Sequence, residues 1–148
     1  MLKKLINCIF IFIYILLTGC DTLTGPEETS YYLELDAPFL EMNQDGYYIM
    51  EIGEGNIMRY TTLKAETGST DEVQLLTWEA NQEFGVEHQG QIIWENLVNS
   101  SSYTDGSGNG FTVLGVWQEF VGDTIIVYCG FEDINNNYYE DIIKVVVE

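Results

Sequence analysis

Positive charge is scarce in this chain: five Lys and Arg stand against 24 Asp and Glu across 148 residues. A phosphate backbone is bound by neutralising it with clustered Lys and Arg, so this balance excludes nucleic acid as a partner and disfavours anionic membrane surfaces. The chain also has one histidine, two prolines and three cysteines. A lone His88, placed by its surroundings GVEHQGQ in a polar loop, cannot supply a paired-histidine metal site or an HExxH helix. Two prolines exclude a proline-rich stalk, and three cysteines exclude a disulfide framework. No window sustains a helical apolar stripe over three turns, and no apolar run reaches the roughly 20 residues of a membrane-crossing helix. Neither a GxSxG elbow nor another nucleophile–base pairing is visible: DGSGNG sets a serine among glycines in a turn. With 24 acids, a chance carboxylate pair carries no information. The chain is therefore expected to act without catalysis.

At the start, Lys3 and Lys4 precede an apolar stretch from Leu5 to Leu17, followed by Thr18, Gly19 and Cys20. This order of charge, short apolar segment and small residues is that of a secretory signal. Leu17-Thr18-Gly19-Cys20 resembles the lipobox of bacterial lipoproteins cleaved by the type II signal peptidase. The resemblance implies diacylglyceryl transfer to the Cys20 thiol, cleavage before it and acylation of the new amino terminus. It also implies a cell-envelope location, with the outer membrane, on its periplasmic or surface face, expected ahead of the inner membrane. The bilayer is then a partner through the acyl chains, each buried methylene contributing about 0.8 kcal/mol. Loss of residues 1–19 would leave Arg59, Lys64 and Lys144 against all 24 carboxylates, a formal charge of −21. Such acid, spread along the chain, suits a solvated surface, and secondarily a cation or a basic partner. Cys8 would leave with the signal and Cys20 would carry lipid, so Cys129 would have no intrachain partner.

Residues 20–30, from Cys20 through DTLTGPEETS, read as a flexible tether, and 31–148 as one domain. From Tyr31 on, apolar residues recur at period two between turn signals. YYLELD (31–36), GYYIMEI (46–52), NIMRYTTLKAE (56–66), VQLLTWE (73–79), QIIW (91–94), FTVLGVW (111–117), TIIVYCGF (124–131) and DIIKVVVE (141–148) all read as strands. Eight candidates joined by short turns predict an all-β antiparallel sandwich of about seven to eight strands. Alternation puts Ile143, Val145 and Val147 on the buried face of the last strand, opposite Lys144. It likewise groups Cys129 with Ile125, Val127 and Phe131 as core.

SSYTDGSGNGFTVLGV, followed by VGDTIIVYCGFED and a closing IIKVVV, resembles the immunoglobulin-like domains of bacterial surface proteins and adhesins. The resemblance spans roughly residues 57–148 and implies an immunoglobulin-like sandwich used for binding, with Trp78 as a core tryptophan. The antibody-type disulfide has no second cysteine here.

Two segments resemble the opening of a calcium loop. Asp105, Ser107 and Asn109 precede Gly110, while Asp133, Asn135 and Asn137 precede Tyr138. The twelfth position, a bidentate Glu in that motif, is Val116 in one and Lys144 in the other. The same residues suit tight turns. The remaining signal is aromatic: 20 rings in 148 residues. Trp94, Trp117, Tyr138 and Tyr139 adjoin polar residues and are the candidate contacts for a sugar or a protein. The expected function is a membrane-anchored envelope lipoprotein with a non-catalytic immunoglobulin-like binding or adhesion module. A carbohydrate-binding lipoprotein and a structural subunit of an envelope assembly are the alternatives. No cofactor is expected beyond the lipid at Cys20, with calcium as the only metal candidate.

Overall fold

The computed structural model describes residues 30–69 and 72–148. The lipobox Leu17-Thr18-Gly19-Cys20 and most of the tether lie outside the described residues. Within them the chain forms eleven strands and one 3-10 turn. The strands are β1 (Glu34–Asp36), β2 (Glu41–Met42), β3 (Tyr48–Met50), β4 (Met58–Glu66), β5 (Leu75–Ala80), β6 (Glu83–His88), β7 (Gln91–Asn96), β8 (Ser101–Tyr103), β9 (Asn109–Trp117), β10 (Thr124–Glu132) and β11 (Tyr138–Val147). The 3-10 turn is Gln118–Phe120. No helix among the described residues is long and apolar enough to cross a membrane.

The all-β expectation holds. β1-β4-β9 form one sheet, β2-β3-β11-β10-β5-β8 a second, and β6-β7 a separate two-stranded ribbon. All pairings are antiparallel except that of β3 with β11, where Tyr48, Ile49 and Met50 run alongside Val145, Val146 and Val147. A sheet buried on one face demands alternation, because each successive side chain points to the opposite side. β10 obeys it with Ile125, Val127, Cys129 and Phe131 buried, and β11 with Ile143, Val145 and Val147. Leu63 and Ala65 of β4, with Leu114 and Val116 of β9, face them from the three-stranded sheet and join one continuous core. Each such aliphatic side chain contributes about 1.5–3 kcal/mol on full burial, which fixes the register of both sheets.

Trp78 lies in this core beside Cys129, its Cα partner across β5–β10, and its indole N–H donates to Ser102 Oγ at 2.9 Å. That bond removes the cost of burying the one polar atom of the ring. Burial pushes the Cys129 thiol up to about 12, with Asp141 adding to the shift, so the thiol stays neutral and unreactive.

Three strands escape the alternation signal. β2 spans two residues and β8 is Ser-Ser-Tyr, too short and too polar to be read from pattern. β6 is Glu83–His88, with Gly85 in its middle, so its apolar content is low. His88 therefore ends a strand instead of lying in a loop, opposite Gln91 across the turn Gln89-Gly90. Both turn residues have positive φ, 52° and 80°, the twist that matches a two-residue hairpin.

Candidate functional site

The four candidate aromatics fall into two kinds. Trp117 and Tyr139 are half-buried and packed into the fold. Trp117 stacks on Phe84 of β6 at 4.0 Å between centroids and 5° between planes, which pins the β6-β7 ribbon to the end of β9. Tyr139 stacks on Phe131 at 5.0 Å, leans against Tyr31, and donates its hydroxyl to Asp133 Oδ2 at 3.3 Å. Burial, reinforced by the Asp133 charge and hydrogen bond, raises its phenol above the ordinary value. Trp94 and Tyr138, by contrast, are 63% and 62% exposed. Register separates these two, since Trp94 sits on the ribbon and Tyr138 on the outward face of the six-stranded sheet.

The ribbon is the first candidate surface. Every residue of β7 is exposed, including Ile92, Ile93 and Trp94. Gly85 lies opposite Trp94, and a Cβ at Gly85 would meet the Trp94 ring at 3.2 Å. The six-membered ring of the indole thus packs over the glycine while most of the side chain stays in solvent. No backbone hydrogen bond joins the ribbon's outer edges to the other sheets among the described residues. Unpaired edges beside exposed apolar side chains form a surface on which a partner strand can add.

The second is a shallow groove of about 490 Å3 on the outward face of β5, β10 and β11. Its floor is Gly130, which faces outward yet is buried because Tyr138 lies across it; a Cβ there would strike the Tyr138 hydroxyl and ring. Tyr128, Glu79, Thr77 and Glu140 form the surrounding rim. Their placement follows from register: Tyr128 pairs with Glu79, and Gly130 with both Thr77 and Glu140. Neither Glu79 nor Glu140 has a hydrogen-bond or ion-pair partner among the described residues. Of these residues the sequence singled out only Tyr138. Alternation does reveal that Tyr128 and Gly130 share the outward row of β10, but which residues flank them depends on the pairing of distant strands.

The two calcium-like segments form tight Asx turns. Asp105 Oδ1 accepts the backbone N–H of Ser107 at 2.8 Å and of Asn109 at 3.0 Å. These backbone bonds hold the Asp105 carboxyl below its usual value. In the β10–β11 loop, Asp133 Oδ1 accepts the N–H of Asn135 at 2.8 Å and of Asn137 at 2.9 Å, while Oδ2 accepts Asn137 Nδ2 at 2.9 Å. Desolvation raises the Asp133 carboxyl, but these bonds outweigh it and the net shift is downward. Asn136 takes the left-handed conformation this loop requires. No group of three or more His, Cys, Asp or Glu side chains converges to hold a metal among the described residues.

Comparison with models of known protein families gives no match, and comparison with curated proteins gives none either.

Proposed function

We propose that this chain is a lipid-anchored protein of the bacterial cell envelope whose immunoglobulin-like sandwich acts by binding, without catalysis. The anchor rests on Leu17-Thr18-Gly19-Cys20 and the charged, apolar segment before it. The immunoglobulin-like reading is supported by sheet order. β1-β4-β9 follows the A-B-E order of such sandwiches and β5-β10-β11 the C-F-G order, with Trp78 on the C-equivalent strand and Cys129 on the F-equivalent one. The observation that carries the binding role is the β6-β7 ribbon. Ile92, Ile93 and Trp94 are exposed on a ribbon whose outer edges are unpaired among the described residues, an arrangement that a folded domain keeps from aggregating only at some cost. The same free edges favour strand addition by a protein partner over a lone sugar contact at Trp94.

The test has two parts. Metabolic labelling with a fatty-acid analogue is expected to mark the full-length protein and not Cys20→Ser; equal labelling of both defeats the anchor. Crosslinking in intact cells is expected to capture a protein through the ribbon and to lose it with Trp94→Ala or Ile93→Lys. Capture of an oligosaccharide on a glycan array, with protein crosslinks unchanged by these substitutions, would replace the protein-binding role with the sugar-binding one.

A further inference from the structure

We infer that the groove over Gly130 is a binding site for a linear aliphatic polyamine, its two end ammoniums held by Glu79 and Glu140 and its methylene stem laid along Tyr128 and Tyr138. The proposal adds to the binding role of the domain and depends on neither the lipid anchor nor the ribbon.

Three features of the groove specify this ligand. The first is charge. The lining carries two carboxylates and no cation, and both carboxylates lack partners among the described residues. The cation on the same strand, Lys144, is engaged elsewhere, 5.2 Å from the centre of the Tyr47 ring. A basic ligand would thus meet uncompensated acid, and the excess acid of the whole chain would speed its approach.

The second is spacing. Glu79 is on β5 beside Tyr128, whereas Glu140 is on β11 beside Gly130, with β10 between them. Two interstrand steps and two residues along the strand separate their Cα atoms by about 12 Å. One ammonium cannot satisfy both, but a chain with a charge near each end can.

The third is the surface between the two acids. The absence of a side chain at Gly130 lets the Tyr138 phenol lie down across the sheet, so that together with Tyr128 it offers a ring surface between the two acids along which an unbranched stem can lie. Ring faces attract methylene groups polarised by a neighbouring ammonium, as well as the ammonium itself. A branched or bulky ligand would be held off by the Tyr138 ring that crosses the floor.

Calorimetric titration of the full-length protein in non-ionic detergent with spermidine tests the assignment. One saturable site is expected, weakened by added salt. Glu79→Gln and Glu140→Gln should each weaken it about tenfold, the loss of one charge-assisted contact. Tyr138→Ala should also weaken it. The controls Glu54→Gln and Glu119→Gln, at exposed acids outside the groove, should leave it unchanged. All these side chains are exposed, so the variants retain the fold, and an unchanged melting temperature confirms it. Three results would overturn the proposal: n-butylamine binding as tightly as spermidine, groove variants behaving like the two controls, or a neutral oligosaccharide occupying the groove with no response to the Gln substitutions.

Discussion

Gly108 and Gly106, two residues apart in the same turn, should respond oppositely to the same substitution. Gly108 has φ of +77°, and a Cβ on it would lie 2.5 Å from the backbone oxygen of Ser69. Its own carbonyl accepts the Thr67 N–H at 3.0 Å and the Thr67 hydroxyl at 3.2 Å. The loop between β8 and β9 is thereby tied to the end of β4, and Gly108 cannot move away without breaking those bonds. Placing alanine in the left-handed region costs about 1–3 kcal/mol, and forcing a methyl against fixed backbone adds about 1–3 kcal/mol. Gly108→Ala should therefore lose about 2–6 kcal/mol, a large share of the roughly 5–15 kcal/mol that holds a domain together. At about 3–5 °C per kcal/mol for a domain of this size, the melting temperature should fall by about 6–30 °C. Gly106 has no atom within 4 Å of its would-be Cβ and no positive φ. Gly106→Ala should be neutral or gain up to about 1 kcal/mol through a less flexible unfolded chain. Urea unfolding followed by tryptophan fluorescence, alongside thermal melts by circular dichroism, gives both values. If Gly108→Ala unfolds within experimental error of Gly106→Ala, the argument from backbone confinement is wrong. Running both melts with calcium and with a chelator also tests the ion reading of this turn: a calcium-dependent rise in melting temperature, lost in Asp105→Ala, would establish it.

Other outcomes follow from the same packing. Trp94→Ala should leave stability within about 0.5 kcal/mol, as expected for an exposed side chain, whereas Trp117→Ala should cost about 1–3 kcal/mol by removing the surface on which Phe84 stacks; denaturant melts distinguish them. The Cys129 thiol should resist maleimide in the native protein and react once urea unfolds it. Because its folded value, about 12, lies above the 9.0 of an ordinary thiol, the native state holds a proton that the unfolded state releases. Its stabilising contribution is full below about pH 9 and is lost as pH rises toward 12, at up to about 1.4 kcal/mol per pH unit. Cys129→Ala should flatten that slope in pH-dependent melts. Asp133→Ala should lower stability near neutral pH by leaving the Asn135 and Asn137 N–H groups and the Tyr139 hydroxyl without their acceptor. Since the folded carboxyl lies below its ordinary value, that difference from wild type should be present above about pH 4 and shrink as acid protonates the group; matched melts across the acid range show it.

Period-two patterning alone determined the all-β class, the inward rows of β10 and β11, and the burial of Cys129. Each of these follows from a local rule: successive strand residues point to opposite faces, and water selects which face is polar. The same rule could not reveal β2 or β8, whose few polar residues become strands only because a neighbour offers hydrogen bonds. Nor could it reveal β6, where Gly85 dilutes the apolar signal. Proximity across the sheets lay beyond the sequence altogether. Trp117 and Tyr139 look like contact residues in one dimension and are packing residues in three, because Phe84 and Phe131, 33 and 8 positions away, arrive beside them. The groove over Gly130 depends on the register of three strands drawn from positions 77 to 140. Its carboxylates and rings have no sequence signature, since strand pairing over such separations is selected by the core on the opposite face of the sheet.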